Sequence, residues 1–134
     1  MEQIVRAVLD TNVVIAGDFG DFIDGDFDVA VTSLTYAELA WGVSAAPEEV
    51  ARAVRGAALQ RAQKILGPGL PFDDDAAASY GHITALIHAR GRDVRPRAID
   101  LMIAAIAHAN DAAVVTHNVR DFAGLEGLVE VIPA

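Results

Sequence analysis

Four acidic residues stand out by their surroundings. They are Asp10 in Leu9-Asp10-Thr11-Asn12, Glu38 in Thr35-Tyr36-Ala37-Glu38-Leu39, Asp100 in Asp100-Leu101-Met102-Ile103-Ala104-Ala105, and Asp121 in Thr116-His117-Asn118-Val119-Arg120-Asp121-Phe122. Each has an ordinary explanation. Asp10, at the end of an apolar run, can cap a helix. Glu38 occupies the last position of a Thr-x-x-Glu capping box opened by Thr35. Asp100 can complement a helix N-terminus, although its apolar neighbours place it at the rim of a core. Asp121 sits in a turn-like stretch. Together they admit a different chemistry. Converging carboxylates repel one another unless protonated or bound to a cation. An oxygen-only cluster, in a chain without cysteine and without histidines at metal-ligand spacing, suits Mg²⁺ or Mn²⁺.

The elements that must position these acids are legible from periodicity. Ile4–Leu9 reads as a strand ending at Asp10, with a short helix starting at Thr11. Residues 18–28 are acidic and read as a short helix or loop, and Asp28–Thr32 as a second strand. The Thr35 box opens a helix through about Val43. Pro47, at a first helical position, opens another through Leu66, stopped by Gly67-Pro68-Gly69. Asp73 caps a helix running to Arg90, and Pro96 starts a strongly periodic one with Ile99, Met102, Ile103 and Ile106 on one face. Ala113–Thr116 and Val129–Ile132 are the last strands. Short β-branched strands separated by helices predict a parallel sheet with helices on both faces. In such sheets a site lies outside the carboxyl ends of the strands. Asp10, the start of the Glu38 helix and Thr116 onward all fall there.

The 134 residues predict one domain spanning 1–134. The absence of cysteine excludes disulfides and thiolate zinc sites and fits a reducing cytoplasm. The longest apolar run, Leu101–Ala107, is far short of a bilayer span, and Met1-Glu2-Gln3 shows no sign of a signal peptide. A net charge of −9 disfavours general affinity for nucleic acid or anionic membrane. A polyanionic substrate would need a local basic patch or a bound cation.

The four motifs, in this order and at this spacing, resemble those of PIN-domain ribonucleases, and among these the toxin subunits of VapBC toxin–antitoxin pairs. The resemblance implies an α/β/α sandwich on a mostly parallel sheet of about five strands. It also implies a Mg²⁺-dependent endoribonuclease, with Mn²⁺ able to substitute, that leaves 5′-phosphate and 3′-hydroxyl ends. Asp10, Glu38, Asp100 and Asp121 would be its catalytic and metal-binding acids, with Thr11, Asn12, Thr116 and Asn118 in support. A VapB-like antitoxin, a homodimer and no membrane are the partners it implies. His117 departs from the family pattern, where arginine is frequent, which bears on a phosphate contact more than on the metal.

Arg90, Arg92, Arg95 and Arg97, just before the Asp100 helix, and Arg120 are candidate RNA-backbone contacts, against the alternative of a solvated loop. Trp41 reads as a packing anchor or a partner-facing residue. Asp24-x-Asp26-x-Asp28 lacks the glycine and terminal glutamate of a calcium loop. Two rival readings share the sheet: a phosphoryl-transfer domain with an aspartate nucleophile, and a binding module that kept the fold without catalysis. The first lacks the second acid of Asp-x-Asp-x-Thr, since Asn12 stands there, and the only lysine is Lys64 in a mid-chain helix. All four acids are present, which speaks against the second.

Overall fold

The computed structural model describes residues 4–134, so Met1-Glu2-Gln3 lie outside the described residues. Four parallel strands form the sheet among them: β1 (Val5–Leu9), β2 (Phe27–Ala30), β3 (Ala113–Thr116) and β4 (Val131–Pro133), in the order β2-β1-β3-β4. Six helices connect them: α1 (Thr11–Ala16), α2 (Gly20–Ile23), α3 (Ser33–Ser44), α4 (Glu49–Leu66), α5 (Asp74–Ala89) and α6 (Ala98–Ala109). Single 3₁₀ turns cover Arg95–Arg97 and Val119–Phe122.

The two-residue period of the strands divides the core. Ala7, Leu9 and Val115 pack on one face with Val13, Val31 and Ala62 of the α1–α3–α4 side. Val8 and Val114 pack on the other with Ile83, Ile87, Leu101 and Ile103 of α5 and α6. The expected three-layer arrangement follows. Central β3 is buried throughout, while β1 begins exposed, where Arg6 pairs with Asp28 of β2 at 3.6 Å.

The sheet has four strands where about five were expected. Leu70 pairs with Thr32 as an isolated parallel bridge, its N–H donating to the Val31 carbonyl at 2.8 Å. The Leu70 carbonyl in turn accepts from Ser33 N–H at 2.9 Å, and the pairing goes no further because Ser33 already begins α3. Gly69 makes this approach possible: a Cβ there would lie 2.7 Å from the Ser33 nitrogen. Boundaries also shift. The second strand runs over Phe27–Ala30 and the last over Val131–Pro133, and Pro47 lies ahead of α4, whose N-cap is Glu48. No helix among the described residues is long and apolar enough to cross a membrane.

Candidate active site

Asp10 immediately follows β1, and its N–H donates to the Val115 carbonyl at 2.8 Å, continuing the pairing with β3. It caps α1, as the capping reading expects, with Oδ1 accepting from Thr11 N–H at 2.8 Å. It does more than cap. The side chain is buried, and Oδ2 accepts from the Thr116 hydroxyl, at the end of β3, at 2.9 Å. A hydroxyl has one proton and two lone pairs. Thr116 spends its proton on Asp10 and accepts from Asn118 N–H at 3.0 Å and Asn12 Nδ2 at 3.3 Å. Asn12 Oδ1 in turn accepts from His117 N–H at 3.1 Å, and the His117 ring meets Asp18 at 2.9 Å. The supporting roles foreseen for Asn12 and Thr116 are thereby given a geometry. Asn118 enters through its backbone.

The Glu38 helix starts earlier than its sequence pattern suggests. Thr32, not Thr35, is the N-cap of α3, its hydroxyl accepting from Thr35 N–H at 3.2 Å. Glu38 is therefore the sixth helical residue, too far along to serve the capping box. Its Oε1 accepts from the Thr11 hydroxyl at 2.6 Å. Thr11 has then given up its only proton, so the 2.9 Å contact between the Thr11 and Thr35 hydroxyls must be donated by Thr35. Thr35 is fully buried and orients Thr11 from beneath. Sequence reasoning gave it only a capping role, and no local pattern marks the contact, which spans 24 residues.

Asp100 is the third residue of α6, in its first turn. Burial pushes its carboxyl up to about 6, aided by the negative charges of Asp10, Asp121 and Glu38, while Arg97 opposes the rise. Burial also raises Asp10, helped by the charges of Asp121 and Glu38 and opposed by its bonds to Thr116 and Thr11. Acids from four separate segments thus share one electrostatic neighbourhood at the carboxyl edge of the sheet.

Asp121 is half-buried in the second 3₁₀ turn, and its backbone is clamped by Arg97. Arg97 Nε donates to the Asp121 carbonyl at 2.8 Å, and Nη2 donates to the same carbonyl and to that of Ala123, the latter at 3.1 Å. Arg97 immediately precedes α6, so this fork ties the element carrying Asp121 to the one carrying Asp100. Two other members of the arginine stretch are engaged as well. Arg95 pairs with Asp93 at 3.1 Å, and Arg90 donates to the Gly124 carbonyl and meets Glu126 at 3.4 Å. Arg92 and Arg120 are exposed. The structure thus turns Arg97 inward, away from the loop surface on which the sequence placed it.

The donor set fits a hard divalent cation in its chemistry. It is anionic oxygen throughout, and its mutual repulsion is the kind a cation relieves. Among the described residues no three acidic or imidazole side chains are gathered into a closed ligand set. Glu38 is drawn to Thr11, and each Asp10 oxygen holds a hydrogen bond.

Comparison with known proteins shows the family of the chain. The family model described as PIN domain matches residues 7–128. The chain is 39% identical over 127 residues to Ribonuclease VapC5 of Mycobacterium tuberculosis, covering 92% of this chain and 90% of that protein. Among solved structures it is similar to a member of the VapBC family of toxin-antitoxin systems, VapBC-5 from M. tuberculosis. The TM-score is 0.82 at 39% identity, with 97% of this chain and 99% of that one covered. It is also similar to FitAcB from Neisseria gonorrhoeae, with TM-score 0.75 at 28% identity and coverage of 94% and 96%.

Proposed function

We propose, from the premise that this chain belongs to the PIN-domain family and within it to the VapC ribonuclease toxins, that it is a Mg²⁺-dependent endoribonuclease. Its activity would be held in check by a cognate VapB-like antitoxin. The observation that carries the reading is the shared electrostatic neighbourhood of Asp10, Glu38, Asp100 and Asp121. These four would hold the ion, with Mn²⁺ as a substitute. When bound, it supplies neutralisation of a phosphodiester's charge and acidification of a water.

The chain's own residues do the positioning. Thr116 and Thr11 hold both Asp10 oxygens in a fixed orientation and favour the ionised form. Thr35 and Thr11 steer Glu38, and Arg97 fixes the turn that carries Asp121. Burial pushes the Asp100 carboxyl up to about 6 in the metal-free protein, and a bound cation would hold it ionised. The products would carry 5′-phosphate and 3′-hydroxyl ends. Residues 1–134 would act as one domain in the cytoplasm, as a homodimer bound to the antitoxin until released.

The test is cleavage of a single-stranded RNA by purified protein in Mg²⁺, paired with induced expression in cells. Wild type should cleave and arrest growth. Asp100→Asn, folded by circular dichroism, should do neither. A folded Asp100→Asn protein that cleaves as well as wild type would overturn the assignment.

A further inference from the structure

Trp41 is the only tryptophan of the chain, and the fold leaves it outside the core. Its residue surface is 71% exposed, the most of any large hydrophobic side chain among the described residues. It belongs to neither of the aromatic pairs, which join Phe22 to Phe27 and Phe72 to Tyr80. The packing role that its size suggests is therefore not the one it has. Its place on α3 is specific. It follows Glu38 by three residues, and side chains at that spacing lie on the same side of a helix, one turn apart. Arg55 of α4 donates to the carbonyl of Gly42, the next residue, at 2.8 Å, which brings a guanidinium alongside. An exposed indole thus sits one helical turn from an acid of the proposed active site, and the backbone carbonyl of the next residue holds a guanidinium.

We propose that Trp41 is a stacking platform for an unpaired base of the RNA, next to the phosphodiester that is cut, with Arg55 at the edge of that subsite. This rests on the ribonuclease reading above and deepens it. The charge balance argues for such a contact. At a net charge of −9, the chain gains little from counterion release. Arg97 is held by protein carbonyls and Arg90 by Gly124 and Glu126, which leaves Arg92, Arg95 and Arg120 as the exposed cations of that region. Stacking on a flat aromatic face needs no positive charge and is available to any unpaired base, but not to one held inside a duplex.

The single tryptophan makes the contact directly observable. In EDTA, where RNA can bind without being cut, a single-stranded oligoribonucleotide should quench the Trp41 emission, and a blunt duplex of the same sequence should not. In Mg²⁺, Trp41→Ala should raise KM for single-stranded RNA about 5- to 100-fold, with kcat nearly retained, and Trp41→Phe should recover most of the loss. Because the side chain is exposed, both variants should melt close to wild type. Unquenched emission and an unchanged KM in a protein that cleaves RNA would refute the stacking site and leave the ribonuclease reading intact. Quenching by single strands in a protein that cleaves no RNA would do the reverse. Weakened binding of the antitoxin by Trp41→Ala, with RNA KM unchanged, would also refute it and assign the indole to a protein partner.

Discussion

Replacing Asp100 with Asn should stabilise the metal-free protein at neutral pH while abolishing its activity. The folded protein holds this carboxyl at about 6 against an ordinary 3.8, chiefly through burial and secondly through the charges of Asp10, Asp121 and Glu38. A raised acid binds its proton more tightly in the folded state. The folded state therefore loses stability as pH rises from about 4 to 6, and above that window the penalty is complete. Unscreened, a shift of this size corresponds to about 3 kcal/mol. Asp100 is only half-buried, so screening reduces the expected gain at pH 7.5 to about 1–2 kcal/mol. In a chain of this length that is a rise in Tm of roughly 3–10 °C. The assay is thermal denaturation of wild type and Asp100→Asn in EDTA at pH 4.5 and 7.5, then at pH 7.5 in excess Mg²⁺. The variant's advantage should be clear at pH 7.5 and shrink at pH 4.5. Saturating Mg²⁺ should reverse it, since a ligand at about a hundred times its Kd adds about 2.7 kcal/mol to a protein that binds it. Equal melting of the two proteins at pH 7.5 in EDTA would refute the raised carboxyl of Asp100. An equal gain from Mg²⁺ would refute the role of Asp100 in holding the ion.

Thr116→Val removes the proton donated to Asp10 and the acceptor used by Asn118, and should cost about 1–3 kcal/mol in urea denaturation. Since that hydrogen bond lowers the Asp10 carboxyl, its loss should also move the acid limb of the kcat/KM profile to higher pH. Arg97→Lys replaces a fork that spans the Asp121 and Ala123 carbonyls with a single ammonium group. It should weaken Mn²⁺ binding, read by isothermal titration calorimetry, and have no further effect once Asp121 is already Asn. Tyr36→Phe cuts the 2.6 Å hydrogen bond from its hydroxyl to the Gly67 carbonyl at the end of α4. It should cost about 1 kcal/mol by denaturation while leaving cleavage intact.

Much of this molecule is legible in its sequence because the signals are local. The apolar period of residues 99–106 makes α6 a helix with one buried side, and Asp73 accepts the Ala76 N–H at 3.0 Å as its position predicts. The short strands and their intervening helices imply a parallel sheet, and the rule that sites lie at the carboxyl ends of strands singles out Asp10 and Thr116. What the sequence leaves open is settled by contacts between distant residues. Thr32 and Thr35 are both good caps. Thr32 is chosen because β-type pairing to Leu70 ends there, 38 residues away in the chain, and that choice frees Glu38 from capping and delivers it to Thr11. Arg97 looks like one more exposed loop arginine until the turn at Asp121 folds back against it. Trp41 reads as a packing anchor or a partner-facing residue until the fold leaves the indole in solvent. Capping and periodicity are decided within a turn or two of chain. Burial, the sharing of a hydroxyl's single proton and the repulsion of converging carboxylates are decided only when segments as far as 106 residues apart are brought together.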